Sequence, residues 1–145
     1  MPNFSRTATI DWAGSVRDGK GDVKAGTGAF SLPVSFPRRI GDAEGSTSPE
    51  ELIAAAHAAC YAMALNATVG RKNGAIGKTH ITCTITALFE NGIKIMSSHL
   101  NVTAYGLKGL DASQFAEVAK EADGRCPVSN AYRGTMQITV DARVA

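Results

Sequence analysis

The stretch that decides the fold is "SPEELIAAAHAACYAMAL", residues Ser48–Leu65 of the 145-residue chain. Its serine suits the N-cap of a helix, its proline suits the first turn, and Glu51 completes a capping box. The helix is expected to end near Val69, where a glycine and two basic residues follow. The sequence therefore predicts an apolar helix of about six turns with Cys60 in its middle.

Strand patterns precede this helix. The chain through about Leu32 mixes alternating segments with turn residues, which predicts a small β-meander. The run Gly19-Lys20-Gly21 lacks the full spacing of a phosphate-binding loop and the helix that should follow one, so it is interpreted as a hairpin turn. Residues 36–51, "FPRRIGDAEGSTSPEE", are rich in Gly, Pro and Ser and predict a loop that leads into the helix.

A second set of elements follows the helix. "THITCTITALFE" and "IKIMSSHLNVTAY" alternate in hydrophobicity and are joined by Asn91-Gly92, a dipeptide typical of a type I′ turn, so a long hairpin is expected. Asp111 is placed to cap a second helix that runs to about Ala122, and Cys126-Pro127 opens a short third helix. "TMQITVDARV" then predicts a closing strand. The fold class is α+β, with one domain over residues 1–145.

Composition limits the partners and the location. The net charge is only +2 and no dense basic block occurs, so nucleic acid is not an expected partner. The N-terminal residues contain no apolar leader, and the longest apolar run, residues 52–65, is interrupted by His57 and falls short of the roughly 20 residues that cross a bilayer. We therefore expect a cytoplasmic protein without a membrane partner.

The three cysteines show no CxxC spacing, which argues against a disulfide framework and a zinc site. Cys60 shares a helical stripe with Leu52, Ala56 and Met63, so it should face a packed surface. It could be a small core residue or a reactive thiol. Because Cys60 lies about three turns inside the helix, the helix dipole cannot lower its pKa, and a reactive role would need a nearby cation.

The other thiols have different surroundings. Cys126 comes directly before a helix start, where backbone N–H groups stabilise a thiolate, although a buried cysteine under a turn is an equal alternative. Cys83 lies on one face of an alternating strand and is interpreted as a packing residue. His57 shares a helix face with Cys60 and could serve as a general base, but a packing or interfacial role is favoured.

Three features together resemble the OsmC/Ohr family of thiol peroxidases, which reduce organic hydroperoxides. They are the segment "SPEELIAAAHAACYAMAL", the segment "GRCPVS" at residues 124–129, and an arginine-bearing loop before the helix. The "HAAC" segment and the early "DW" resemble the OsmC branch. The resemblance extends over essentially the whole chain. It implies an OsmC-like fold that forms an intertwined homodimer, with central helices packed between β-sheets.

The resemblance also implies roles for individual residues. Cys60 would be the peroxidatic thiol, Cys126 the resolving thiol, Glu50 the assisting carboxylate, and Arg39 the cation, with the adjacent Arg38 as an alternative. The implied reaction reduces an organic hydroperoxide through a Cys60–Cys126 disulfide in osmotic and oxidative stress defence. A dithiol, of a lipoyl type, would recycle the enzyme. No metal and no organic cofactor are required.

Helix geometry adds a prediction about assembly. Glu50 precedes Cys60 by ten residues, which at 1.5 Å per residue separates them by about 15 Å along the axis. A second subunit crossing near Ala55 would bring its glutamate to this thiol, and the small side chains of the helix would permit the approach. An apolar lining from Leu52, Met63 and Phe36 or Tyr61 would favour bulky organic hydroperoxides over hydrogen peroxide.

Two other functions fit the same sequence. The chain could be a non-catalytic, dimeric protein that binds small molecules or lipids, with thiols that are merely buried. It could also be a redox sensor that signals through the same disulfide. A fold can host many functions, so the cysteine pair with its arginine and glutamate is what favours the enzyme.

Overall fold

The structure is a computed structural model and describes residues 2–145. The chain divides into two compact units, of which the first ends at Leu52 and the second comprises Ile53–Ala145. The single domain expected over residues 1–145 stays a prediction. Each unit contains one three-stranded sheet.

The first unit contains the predicted meander. Strands β1 (Ala8–Ala13), β2 (Lys20–Ala25) and β3 (Ser31–Val34) pair antiparallel in the order β1-β2-β3. All six residues of β1 are solvent-exposed in the single chain. The unit therefore offers a largely uncovered sheet.

The first hairpin turns earlier than the sequence predicted. Residues 14–19 connect the strands, and Lys20 and Gly21 already belong to β2, so the turn placed at residues 19–21 was wrong. Gly14 has a φ of 97°, a conformation that side chains with a Cβ rarely adopt. A Cβ at Gly19 would lie 2.3 Å from the carbonyl oxygen of Ser15. Both glycines serve this turn.

A short helix, α1 (Phe36–Ile40), occupies the segment that was predicted to be loop. Ser35 caps it, because its hydroxyl accepts a hydrogen bond from the Arg38 backbone N–H at 3.3 Å, and a proline lies in its first turn. Five residues are too few to display helical periodicity. The Gly, Pro and Ser content of the surrounding sequence therefore concealed the element.

The central helix, α2 (Pro49–Arg71), forms as predicted and crosses from the first unit into the second. The Ser48 hydroxyl accepts the backbone N–H of Glu51 at 3.1 Å. The Glu51 carboxylate accepts the hydroxyl of Thr47 at 2.9 Å and not the backbone N–H of Ser48, so only one of the two bonds of the predicted capping box forms. By length and composition α2 could span a membrane, but the core helix of a soluble protein passes the same test.

The second unit contains a mixed sheet and two further helices. Strands β4 (Lys78–Phe89) and β5 (Ile93–Tyr105) form the predicted antiparallel hairpin, and β6 (Gln137–Val144) pairs parallel to β5. Asn91 and Gly92 have the expected positive φ values, 53° and 111°, but the connection comprises three residues, 90–92, and is therefore longer than the predicted two-residue type I′ turn. Helices α3 (Ala112–Arg125) and α4 (Pro127–Tyr132) connect β5 to β6, which a parallel pair needs.

The core of the second unit lies between α2, α3 and β5. Its fully buried members include Tyr61 and Leu65 of α2, Phe115 of α3, and Leu100 of β5. Burying one side chain of the size of leucine stabilises a fold by about 1.5–3 kcal/mol. Because α2 packs against this core, Cys60 lies at the edge of the core and is partly buried.

The predicted packing stripe of α2 is packed only in part within the single chain, where Cys60 lies against the core and Leu52 is half-buried. Ala56 is exposed and the Met63 side chain is 71% exposed. The helix is apolar on nearly every side, so spacing alone could not identify the face that packs on the core. The face that is buried instead comprises His57, Tyr61, Leu65, Thr68 and Val69.

Candidate active site

An ion pair in the first unit joins Arg39 of α1 to Glu50 of α2. The Nη2 atom of Arg39 lies 2.6 Å from Glu50 Oε1, and its Nε donates to both carboxylate oxygens at 3.1 and 3.0 Å. The hydrogen bonds from Arg39 lower the pKa of Glu50, although burial works in the opposite direction. A planar fork bound by both oxygens has a fixed orientation. Glu50 thus holds the guanidinium in place.

The neighbouring arginine has a different partner. Arg38 is exposed, and its Nη1 atom donates to the backbone carbonyl of Asp42 at 3.1 Å. Of the two adjacent arginines, therefore, Arg39 is the one that pairs with Glu50.

An apolar pocket of about 280 Å³ adjoins Arg39 within the first unit. Two of the residues expected to line the substrate site, Leu52 and Phe36, are in its wall. Trp12 of β1 also lines it. The remaining lining residues are Ile10, Val16, Val23, Val34, Ser35 and Pro49.

In the second unit, the side chain of Cys60 lies beside that of Cys126. Both are reduced, with Cys126 fully buried and Cys60 partly exposed. Burial raises the pKa of Cys60, the neighbouring Cys126 raises it further, and the backbone N–H of Val128 lowers it. None of these groups is a cation. Within this unit, then, Cys60 favours the neutral thiol.

Groups at the start of α4 interact with the sulfur atoms of both cysteines. Cys126 is the N-cap of this helix, and its Sγ accepts the backbone N–H of Ser129 at 3.4 Å. The preceding amide, of Val128, lowers the pKa of Cys60. Two successive N–H groups of one short helix therefore serve the two thiols in turn.

His57 is fully buried beside this helix. Its Nδ1 lies 2.6 Å from the hydroxyl of Ser98, and its Nε2 lies 2.7 Å from the hydroxyl of Ser129. Burial lowers the pKa of His57. Because hydroxyls occupy both ring nitrogens, neither is free to take a proton from Cys60, and the general-base hypothesis for His57 is not supported.

Cys83 belongs to the same cluster. Its Sγ lies 3.2 Å from the Ser98 hydroxyl and 3.9 Å from Nδ1 of His57. Burial raises the pKa of the Cys83 thiol, so it is a poor nucleophile. These contacts agree with the packing role predicted for it.

Sequence reasoning missed three members of the site: Ser98, Ser129 and Tyr132. The Tyr132 hydroxyl donates to the Ile53 carbonyl at 3.2 Å, and its ring meets His57 edge to face at 5.3 Å. Ser129 follows the Cys126 cap by three residues, a spacing that could have indicated it. The placement of Ser98 on the covered face of β5 gave no comparable signal.

Among residues 2–145, no cluster of three His, Cys, Asp or Glu side chains could hold a metal ion. His99 instead contacts the hydroxyl of Thr139 through Nδ1 at 2.6 Å.

Two neighbouring reduced thiols within an α+β fold are typical of a thiol-based redox protein. The chain belongs to the OsmC-like protein family, whose pattern matches residues 41–141. It is 34% identical over 137 residues to the peroxiredoxin OsmC of Escherichia coli, a match that covers 90% of each chain. It is 31% identical over 137 residues to the organic hydroperoxide resistance protein OhrA of Bacillus subtilis, covering 93% of this chain and 94% of that one.

Solved structures confirm the fold. The crystal structure of the organic hydroperoxide resistance protein OhrB of Bacillus subtilis superposes with a TM-score of 0.77 at 25% identity, over 97% of this chain and 98% of that chain. The OsmC protein of Legionella pneumophila gives a TM-score of 0.78 at 24% identity, over 99% of both chains. The α+β, OsmC-like fold and the family resemblance predicted from the sequence are therefore confirmed.

Proposed function

We propose that this chain is a cysteine-dependent peroxidase that reduces organic hydroperoxides to alcohols. The observation that carries the proposal is the contact between Cys60 and Cys126 at the start of α4. Relatives named as a peroxiredoxin and as organic hydroperoxide resistance proteins support the reaction class. The pairing of Arg39 with Glu50 supplies a fixed cation for it.

In the first step, the Cys60 thiolate attacks one peroxide oxygen. The O–O bond breaks, the sulfur becomes a sulfenic acid, and the alkoxide leaves and takes up a proton to become the alcohol. This step needs an ionised thiol and a donor for the departing oxygen. A guanidinium can meet both needs, because it stabilises negative charge on sulfur and on oxygen.

The cation must reach a thiol that its own unit leaves neutral. Burial raises the pKa of Cys60, and only a backbone amide opposes that rise. Glu50 and Cys60 are ten residues apart in α2, about 15 Å at the rise of an α-helix. We therefore assign to each Cys60 the Arg39–Glu50 pair of a second subunit.

The outer face of α2 suits such an assembly. Ala55, Ala59, Met63 and Ala67 follow one another at four-residue spacing and are all exposed in the single chain. Small side chains let two helices approach closely, and an apolar face of this length is costly to leave in water. A two-fold homodimer would cover this face and share two sites.

In the second step, the Cys126 thiolate attacks the sulfenic sulfur of Cys60. A disulfide forms, and hydroxide leaves and takes up a proton to become water. An external dithiol, which we propose is of the lipoyl type, then reduces the disulfide by two exchange reactions. We propose a cytoplasmic location for the enzyme, because dithiols are kept reduced in that compartment.

Counting thiols after one equivalent of cumene hydroperoxide tests the proposed function. The wild-type chain should lose two titratable thiols, Cys60 and Cys126, and release one equivalent of alcohol. Cys126→Ser should lose only one and should accumulate sulfenic acid, because its resolving sulfur is gone. A chain that keeps all three thiols would instead be a non-catalytic binding protein. One that forms the disulfide but does not turn over with dithiothreitol would be a sensor.

Substrate preference follows from the pocket beside Arg39. Its wall of aliphatic and aromatic side chains gains from the burial of an apolar substituent, which hydrogen peroxide lacks. We expect kcat/KM for cumene hydroperoxide to exceed that for hydrogen peroxide by at least about tenfold. Leu52→Asn should lower this ratio, mainly because kcat/KM for cumene hydroperoxide falls. A preference for hydrogen peroxide would contradict the assignment of the pocket.

A further inference from the structure

We propose that His57 is a positioning residue that anchors the first turn of α4 through Ser129, and so keeps Cys126 beside Cys60 for disulfide formation. The proposal deepens the function proposed above and rests on it for the natural oxidant. His57 itself touches neither sulfur of the pair in the described contacts. It acts through a serine that does.

His57 ties together three elements that carry the site. It lies three residues before Cys60 on α2 and is 0% exposed. One ring nitrogen contacts Ser98 of β5 at 2.6 Å, and the other contacts Ser129 of α4 at 2.7 Å. Short contacts at both nitrogens of a buried ring fix its orientation, because breaking either would leave a buried polar atom unsatisfied.

Ser129 transmits this restraint to the resolving cysteine. Its hydroxyl meets His57, while its backbone N–H donates to the Sγ of Cys126 at 3.4 Å. The amide before it, of Val128, lowers the pKa of Cys60. A shift of Ser129 would therefore move both amides relative to the sulfurs that they serve.

Few other bonds perform the same task. In the part of the chain that the structure describes, the side-chain hydrogen bonds between α4 and α2 are His57 to Ser129 and the Tyr132 hydroxyl to the Ile53 carbonyl. Asn130 and the residue after α4, Arg133, bond instead to Gly124 and Asp123 of α3. Those bonds attach α4 to the preceding helix and not to the helix that bears Cys60.

The charge state of His57 fits an anchor better than a base. Burial lowers its pKa, Arg133 lowers it as well, and Asp123 works in the opposite direction. A neutral imidazole offers one donor and one acceptor, and a hydroxyl can satisfy either. The pair of serines therefore matches the neutral ring in full, with Cys83 and Tyr132 as the other polar groups beside it.

Two conservative variants separate the two bonds of the ring. His57→Gln places an amide near the position of Nε2 and can keep the bond to Ser129, whereas His57→Asn places it near Nδ1 and keeps only the bond to Ser98. We expect His57→Asn to slow disulfide formation at least about tenfold, and His57→Gln to stay within about threefold of wild type. Ser129→Ala should resemble His57→Asn, and combining the two should add little, because both remove one interaction.

The readout is the rate of Cys60–Cys126 disulfide formation, measured by quenching and mass spectrometry. One arm uses one equivalent of cumene hydroperoxide and also follows alcohol release. In His57→Asn, the rate of alcohol release should stay within about threefold of wild type while sulfenic acid accumulates. The other arm uses diamide, an azo oxidant that is reduced to the hydrazine as two thiols form a disulfide. The diamide arm needs no peroxidase activity, so it tests the position of Cys126 even if the proposed function fails.

The proposal stands if His57→Asn and Ser129→Ala slow disulfide formation with diamide and His57→Gln does not. Equal slowing of disulfide formation by His57→Asn and His57→Gln would indicate a general structural role and would overturn the proposal. An unchanged rate in Ser129→Ala would overturn it as well. Should His57→Asn fail to fold, Ser129→Ala decides the matter alone. If the wild-type chain did not react with cumene hydroperoxide but the variants showed this pattern with diamide, the proposed peroxidase function would be wrong. The positioning role of His57 would still stand.

Discussion

Replacing Cys60 by serine should abolish hydroperoxide turnover. A serine hydroxyl stays protonated at neutral pH and is a far weaker nucleophile toward peroxide oxygen than a thiolate. Neither other thiol is placed to substitute, because Cys126 is fully buried with its sulfur capping α4 and burial raises the pKa of Cys83. With dithiothreitol as the reductant, cumene hydroperoxide consumption by Cys60→Ser should not exceed the rate without protein.

Cys83→Ser is the matched control for this experiment. It removes a partly buried thiol from the same unit, and the serine hydroxyl can keep the contact with Ser98. Turnover should stay within about twofold of wild type, because the retained hydrogen bond to Ser98 leaves the surroundings of His57 unchanged. Residual dithiol-dependent turnover in Cys60→Ser would show that another cysteine attacks the peroxide, and the assignment of Cys60 would be wrong.

Replacing Arg39 by methionine should lower kcat/KM at least about 100-fold. The guanidinium is assigned both to the ionisation of Cys60 and to the departing alkoxide, and removing one such donor from an oxyanion site typically costs a factor of 10²–10³. Methionine keeps much of the apolar stem that lines the pocket. The pH at which Cys60 alkylation by iodoacetamide becomes half-maximal should rise in this variant, because the thiolate loses its cation.

Arg38→Met provides the control with the neighbouring arginine. Arg38 is exposed and bonds to the Asp42 carbonyl, so its loss should change kcat/KM by less than about threefold. If Arg38→Met were the inactive variant and Arg39→Met were active, the cation would be Arg38. The ion pair with Glu50 would then have only a structural role.

The elements with strong local signals were predictable from the sequence. The central helix carries a start signal at Ser48 and a stop signal after Val69, and Asn91-Gly92 sets the hairpin, because these signals depend on residues adjacent in the chain. The short helix α1 was missed for the opposite reason. Five residues cannot express a period, and a serine cap with a proline is equally typical of a loop.

The site was predictable only in part. Cys60, Cys126, Arg39 and Glu50 came from motifs and a family resemblance, and the structure pairs the thiols with each other and Arg39 with Glu50. The packed face of α2 was not predictable, since an alanine-rich helix is apolar on most sides. The bonds of His57 were hidden as well, because its partners come from distant parts of the chain.

The most direct test of a site shared between subunits is complementation between two inactive variants. Cys60→Ser and Arg39→Met chains carrying different affinity tags would be co-expressed, and the heterodimer isolated through both tags. One of its two sites would join an intact Cys60 from one chain to an intact Arg39 from the other. Dithiol-dependent reduction of cumene hydroperoxide should then recover to about half of the wild-type rate per dimer. A heterodimer as inactive as its two parents, or a fully active monomer, would contradict the shared site.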